Sequence, residues 1–216
     1  MNEAAVMPRG DAVAQVGEMV VSDGRNRRAA ETRRKIIEAA KAMISETSAA
    51  PTVVAVAKRA DVSVRSVFQH FGDVESLFVT VVDSAREDLV VPARTPSDRP
   101  LSARVHSIVQ NLGQLFDKIV PLRVAAGQFV DNPALLQRGL ASRLELREAT
   151  HQVFAPEFAA LGEEAQLELA DAIGAALSLD AWIVLRRRDK LSFERAAAVW
   201  RLTLGALLAQ GLRSPA

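Results

Sequence analysis

Residues 63–71 combine a hydrogen-bonding face and an apolar face on one short helical pattern. Apolar side chains recur there at steps of three and four residues, the spacing of one helix face: Val64, Val67, Phe68 and Phe71. The positions between them carry hydrogen-bonding groups: Arg65, Ser66, Gln69 and His70. Because a guanidinium can contact guanine O6 and N7 together, we expect Arg65 to read a base edge in the DNA major groove. Ser66 and Gln69 are expected to contact a base edge or a phosphate.

A second short helical pattern, residues 52–59, precedes this one and would position it. Three residues, 60–62, form a tight corner between the two, and Ser63 can cap the second helix. Two short helices joined by such a turn are the layout of a helix-turn-helix. Thr52 stands at the start of the first helix, where backbone N–H groups favour a phosphate. For Thr52 and Ser63 the alternative is N-capping alone, and the two roles can coexist.

Positive charge is concentrated around this pattern. The whole chain of 216 residues carries a formal net charge of only +1. Residues 25–71, however, hold ten Lys or Arg against four acidic residues. A local excess of this kind is what neutralisation of phosphates requires, although the total charge by itself indicates no nucleic-acid partner.

Elements on both sides of the pattern predict a domain at residues 29–90. Residues 29–47 form an amphipathic helix that would brace the corner, and residues 74–90 form a connecting helix after it. Residues 1–28 are predicted to be a disordered arm. Its basic end, Arg25–Arg28, is read either as a solvated linker or as a segment that lies along phosphates or enters a minor groove. Three prolines within residues 91–100 mark the boundary between this domain and the C-terminal part of the chain.

Residues 101–216 read as helical throughout, and no segment alternates long enough to indicate a strand. The fold class is therefore predicted as all-α. The expected helices are Leu101–Val120, Pro121–Val130, Pro133–Phe154, Glu163–Arg187 and Phe193–Leu212.

Residues 29–90 resemble the DNA-binding domain of the TetR family of transcriptional regulators. The resemblance rests on Thr52, the pairs Val56-Ala57 and Val62-Ser63, the aromatic Phe68, His70-Phe71, and Glu75 three residues before Phe78. It implies a three-helix helix-turn-helix domain whose recognition helix is Ser63–His70, with Val64, Phe68 and His70 also among the DNA-binding residues. Packing at the edge of the domain is the alternative for Phe68, and a helix-end cap is the alternative for His70. The family usually has Gly, Tyr and Lys at positions 61, 68 and 74, where this chain has Asp61, Phe68 and Val74. Phe68 and Val74 cannot bind phosphate as Tyr and Lys do, and a basic arm at Arg25–Arg28 would compensate for this.

A homodimer on a near-palindromic operator is expected, because one short recognition helix reads too little sequence alone. The last two helices carry more apolar positions than one core face needs, which favours a twofold interface of four helices. The predicted interface residues are Leu177, Ala181, Val184, Ala197, Trp200, Leu204 and Leu207. The alternative is that these side chains belong to the core of a single chain.

The resemblance also implies a small, largely apolar effector that binds among the middle helices and changes the affinity for DNA, as in a ligand-responsive repressor. The polar and aromatic residues that could contact it are His106, Phe116, Arg123, Phe129 and Trp182. For each of them, an ordinary place in the core or on the surface is the alternative.

Other function classes lack sequence support. The chain has no cysteine, only three scattered histidines, no glycine-rich phosphate loop and no paired-carboxylate motif in a recognisable context, so neither an enzyme nor a metal or cofactor site is expected. No apolar run reaches the length of a membrane span, and we expect a cytoplasmic protein. The remaining alternative is a protein of this fold that has lost DNA binding and acts as an interaction module.

Overall fold

The computed structural model describes the backbone of residues 11–88 and 95–211 and the side chains of residues 25–88 and 95–211. Within these ranges every regular element is helical, which confirms the predicted all-α fold. None of the described helices is both long and apolar enough to cross a membrane. The helices are α1 (Asp11–Thr47), α2 (Val53–Ala60), α3 (Val64–Phe71), α4 (Val74–Glu87), α5 (Leu101–Ala125), α6 (Pro133–Val153), α7 (Ala155–Ala159), α8 (Glu163–Ala176), α9 (Leu179–Ile183) and α10 (Phe193–Gly211).

Helix α1 begins far upstream of the predicted start. The backbone is helical from Asp11, so the prediction of a disordered arm is wrong for residues 11–28, and residues 1–10 lie outside the described residues. No proline occurs between Pro8 and Pro51 to interrupt the helix. Once residues 29–47 are helical, each upstream residue adds one backbone hydrogen bond, while Gly17 and Gly24 each cost only about 1 kcal/mol.

The chain divides into two compact units. The N-terminal unit is Met1–Met43 with Pro51–Val81, and the C-terminal unit is Ile44–Ala50 with Val82–Ala216. The division therefore falls inside α4 and not at residues 91–100, where prolines led us to predict it. Side chains explain this position, because Asp83 in the second half of α4 is paired with Arg138 of α6. Residues 89–94 lie outside the described residues.

Each helix of the N-terminal unit contributes side chains to its buried interior. Helices α2 and α3 contact one another at the corner, and α1 supplies the apolar face predicted for it. The buried positions include Ile36, Ile37, Ala40, Val56, Ala57, Ala60, Val67, Phe71, Leu77, Phe78 and Val81. These residues hold α3 with one side inward, which leaves its other side free to carry polar groups.

Aromatic residues lie at the centre of the C-terminal unit. Trp182 and Trp200 are almost fully buried, with ring centroids 4.4 Å apart. Phe116 packs edge-on against Trp200 at 5.8 Å, and Phe193 packs against Trp182 at 5.7 Å. The indole N–H of Trp182 donates to Asp117 Oδ1 at 2.8 Å, so this buried polar group is satisfied.

A buried ion pair joins α5 to α7. Arg104 donates to both carboxylate oxygens of Glu157 at 2.6 Å, and also to the carbonyl oxygens of Val153 and Arg99. The hydrogen bonds from Arg104 lower the pKa of Glu157, and those to Glu157 raise the pKa of Arg104. With both charges buried and paired, the two helices are fixed at this point.

Two predicted helix boundaries differ from the structure. Helix α5 continues past Val120 and across Pro121 to Ala125, because Val120 packs in the core and Pro121 removes only one backbone hydrogen bond. The expected helix Glu163–Arg187 is instead interrupted after Ala176, and a π-helical turn, Val184–Arg188, follows α9. Ser178 causes the interruption, since its hydroxyl accepts from the N–H of Ala181 at 3.1 Å and starts a new helix.

Candidate nucleic-acid interface

The two helices that meet at the corner, α2 and α3, each begin at an N-cap residue. Thr52 Oγ1 accepts from the N–H of Ala55 at 3.2 Å and Ser63 Oγ accepts from the N–H of Ser66 at 3.0 Å. Asp61 ends α2 in the left-handed conformation, with φ of 55°. Thr52 and Ser63 are thus N-caps, as predicted. A hydroxyl that accepts one hydrogen bond still has its own O–H to donate, so the caps leave phosphate contact open.

Helix α3 presents its predicted polar side chains outward. Arg65 and Gln69 are exposed, one turn apart, while Val67 and Phe71 face the interior. Ser66 is half-buried beside them. Within the described part of the chain, neither Arg65 nor Gln69 has a side-chain hydrogen bond or ion pair. Their donors are therefore available to an outside acceptor, which is what reading a base edge requires.

His70 and Phe71, the last two residues of α3, differ in their burial. His70 is half-buried, and its ring lies 6.3 Å from that of Phe71. Phe71 is buried, with the guanidinium of Arg33 over its face at 5.1 Å. This cation–π contact uses one of the basic residues of α1 to cover the end of α3.

The other basic side chains of the N-terminal unit are largely exposed. Arg25, Arg27 and Arg28 project from α1, where the helix replaces the predicted arm. Arg34 and Lys58 are exposed as well. Lys35 forms only a long ion pair with Glu31, at 3.6 Å between two half-exposed groups. Such a pair is worth little, so most of the local positive charge remains available to a polyanion.

Asp73 caps α4 at the far end of the corner. Its Oδ1 accepts from the N–H of Ser76 at 2.7 Å, and this hydrogen bond is the main reason that the pKa of Asp73 is lowered. The carboxylate therefore stays charged where it stabilises the start of α4.

The residues predicted to hold an effector do not converge on one site. Phe116 and Trp182 belong to the packed aromatic core, whereas His106 is exposed. Arg123 is exposed and paired with Asp180 at 3.2 Å. Phe129 lies half-buried in a 3₁₀ turn, Ala126–Phe129. These five side chains therefore lie in different environments, and their contact with an effector stays a prediction.

The predicted dimer interface is also largely wrong in its residues. Leu177, Ala197, Trp200 and Leu204 are at most 1% exposed within one chain, so they belong to its own core. Ala181 and Leu207 are half-buried, and Val184 is exposed. Apolar spacing identified a buried face correctly, but spacing does not tell a chain's own core from a contact with a second chain.

A groove between α6 and α8 was missed by sequence reasoning. It has a volume of about 420 Å³ and apolar walls from Leu144, Leu167 and Ala170. Polar side chains line the rest of it: Arg147, Glu148, His151 and Gln166. No local sequence signal marks the groove, because its walls come from α6 and α8, which are separated in the chain. Within the described residues, no group of three or more His, Asp or Glu is placed to hold a metal ion.

Comparison with known proteins bears on the helix-turn-helix segment. No curated protein matches the chain. Residues 36–81 match the family model described as bacterial regulatory proteins, tetR family. These residues take in the last third of α1, the whole of α2 and α3, and the first half of α4. They are therefore the segment that carries the capped corner and the exposed Arg65 and Gln69. This segment of the chain is therefore similar to the tetR family of bacterial regulatory proteins, a family of DNA-binding regulators of transcription.

Proposed function

We propose that the protein is a ligand-responsive repressor that binds, as a homodimer, to a near-palindromic operator in the cytoplasm. The observation that carries the proposal is the outward face of α3. There Arg65 and Gln69 are exposed and unpaired within the described residues, in a segment that matches a family of DNA-binding regulators. Arg65 would read a guanine, and Ser66, Gln69 and His70 would contact neighbouring base edges or phosphates.

Phosphate anchoring is assigned to the helix starts and the basic face. Thr52 and Ser63 are placed at the N-termini of α2 and α3, where free backbone N–H groups favour an anion and each hydroxyl still has a proton to donate. The exposed cations Arg34 of α1 and Lys58 of α2 are close to these two residues along the chain. The protein would act through this binding, without catalysis.

The homodimer would use the outer sides of α8 and α10. On α10, Leu202 is 76% exposed, lying on the opposite side of the helix from Trp200 and Leu204. Gly205, Ala206 and Ala209 continue the same stripe and have small side chains. On α8, Gly174 and Ala175 are exposed. Small residues beside the exposed Leu202 allow close helix packing, so this surface takes the place of the core residues that spacing had predicted for the interface.

Effector binding is assigned to the groove between α6 and α8. Its volume is within the range of small-molecule sites, and it combines apolar walls with a few polar groups. A small, largely apolar ligand would suit the leucine walls of the groove, because Arg147 is already paired with Asp171. Binding there would favour one arrangement of the C-terminal unit and so shift the affinity for DNA.

Selection of binding sites from random double-stranded DNA tests the proposal. The full-length protein should enrich a near-palindrome whose half-sites are centred about one helical turn apart. Arg65→Ala should relax the preference at one base pair in each half-site, while Arg123→Ala, a matched change at an exposed arginine of α5, should leave the motif unchanged. Absence of any enriched sequence would instead favour an interaction module that has lost DNA binding.

A further inference from the structure

Two apolar side chains are exposed on α3, one turn apart. Val64 is 37% exposed and Phe68 is 48% exposed, whereas Val67 and Phe71 on the same helix are nearly or fully buried. An exposed phenylalanine and valine on a short helix leave apolar surface in water, which is unfavourable unless a partner covers it. Within the described residues, more than a third of Val64 and nearly half of Phe68 therefore remain open to solvent.

Their place on the helix puts them beside the base-reading residues. At 100° per residue, Arg65 and Gln69 lie near the middle of the outward face, and Val64 and Phe68 form one edge of it. Ser66 and His70, both half-buried, form the other edge. Whatever Arg65 and Gln69 contact will therefore meet an apolar edge on one side and a polar edge on the other.

The major groove offers one kind of apolar group to such an edge. Bases display donors and acceptors there, and thymine alone adds a C5-methyl group. We propose that Val64 and Phe68 recognise the C5-methyl group of a thymine in each half-site, next to the base pair read by Arg65. The inference rests on the proposed DNA binding, and it assigns a base to side chains that carry no hydrogen-bonding group.

A protein partner is a poorer occupant of this edge. The exposed cation Arg65 lies directly beside it, and residues 25–71 hold ten basic against four acidic side chains. A polyanion that also presents methyl groups satisfies both features of the surface at once.

The experiment removes the methyl groups without changing base pairing. Each thymine of the selected half-site is replaced in turn by deoxyuridine, and binding of the full-length wild-type protein is measured by fluorescence anisotropy. One position should weaken binding about fourfold when substituted in one half-site, and about 15-fold when substituted in both, the loss expected for one buried methyl group each. The other positions should change binding less than twofold.

Variants show which side chains meet the methyl group. In Phe68→Ala and Val64→Ala, the sensitive deoxyuridine should lose most of its effect, because its partner is gone. Val54→Ala is the matched control, since Val54 is 65% exposed but lies on α2; it should keep the full effect. Circular dichroism confirms that each variant is folded.

The outcomes separate this inference from the proposed function. Tight binding to a selected site with no sensitive thymine would overturn the methyl contact and leave the DNA-binding proposal standing. A sensitive thymine whose effect persists in both variants would also overturn it. Absence of any selected site would overturn the proposed function and the inference with it.

Discussion

Arg138 of α6 holds Asp83 of α4 by two parallel hydrogen bonds, Nε to Oδ1 at 2.5 Å and Nη2 to Oδ2 at 2.6 Å. The arginine also lowers the pKa of Asp83. One turn further along α4, Arg86 contacts both Glu145 and Ser142 of α6. The second half of α4 is thus attached to α6 at successive points.

Breaking the Asp83–Arg138 pair should loosen this attachment. Both groups are partly exposed, so we expect Arg138→Gln or Asp83→Asn to lower the free energy of unfolding by about 1 kcal/mol. A double-mutant cycle in urea measures the coupling between them. Arg123 and Asp180, joined by one contact at 3.2 Å and more exposed, provide the control and should show almost no coupling. Equal coupling for the two pairs would contradict the special role of the bidentate contact.

Acid should weaken the C-terminal unit through Glu157. Because Arg104 lowers its pKa, Glu157 binds fewer protons in the folded than in the unfolded chain. The stability it contributes is therefore complete above its unfolded pKa of about 4.3 and is lost as the pH falls through the lower folded value. Urea unfolding of the wild type should show a steep decline below about pH 5.

Glu157→Gln is the variant that isolates this effect. It should lose about 3 kcal/mol at neutral pH, since Arg104 is left buried without a counter-ion, and its stability should then depend less on pH. Replacing both residues by Met should cost less than Glu157→Gln. Parallel pH curves for the wild type and Glu157→Gln would show that other carboxyl groups dominate.

The packing around Trp182 leaves no room for a methyl group at position 113. A Cβ on Gly113 would lie 2.9 Å from Trp182 Cη2 and 3.0 Å from Phe193 Cε2. Gly113→Ala should therefore destabilise the protein by about 1–3 kcal/mol, seen as a lower Tm. Gly139→Ala is the matched control, because this helical glycine has no other group within 4 Å. It should stabilise the protein by about 0.5–1 kcal/mol. A loss of stability in both variants would point to a cause other than packing.

Asp61 adopts a conformation that suits glycine. Its φ of 55° places Cβ near its own backbone, while its N–H still caps α2 through the carbonyls of Ala57 and Lys58. Asp61→Gly should keep the cap and raise stability by about 0.5 kcal/mol, whereas Asp61→Ala should lower it. Chemical denaturation of the wild type and the two variants measures their order of stability. Greater stability of the alanine variant would mean that strain is not the controlling factor.

A charge at position 202 should separate the proposed dimer. Leu202→Glu leaves the core untouched because the side chain is 76% exposed. Across a twofold interface, however, the two introduced glutamates would face each other and repel. Sedimentation equilibrium should show monomers where the wild type shows dimers, with unchanged helicity by circular dichroism. Leu136→Glu, a change at an exposed leucine of α6, is the control. If this control dissociates the dimer and Leu202→Glu does not, the interface lies on α6.

Local signals account for the parts of the structure that the sequence predicted well. The caps at Thr52 and Ser63 and the alternating faces of α3 depend on residues within one or two turns, so they can be read from spacing. The same holds for α4 and α6, which start at Val74 and Pro133 as expected.

Long-range partners account for the failures. Helical periodicity marked Trp200 as buried, but the residues that cover it, such as Phe116 and Trp182, lie on distant segments of the chain. Similarly, Asp83 and Arg138 are 55 residues apart, and nothing in their local sequence indicates the contact. The extension of α1 to Asp11 was missed because three glycines, Pro8 and the lack of a sustained apolar period were read as disorder.

The contact between Trp182 and Trp200 determines what intrinsic fluorescence reports. These are the only tryptophans of the chain, which has no tyrosine, and both lie in the C-terminal unit. Emission excited at 295 nm therefore follows that unit alone, because the helix-turn-helix contains no tryptophan. Comparing the urea transition of the tryptophan emission with that of circular dichroism, which follows every helix, reveals whether the two units unfold together.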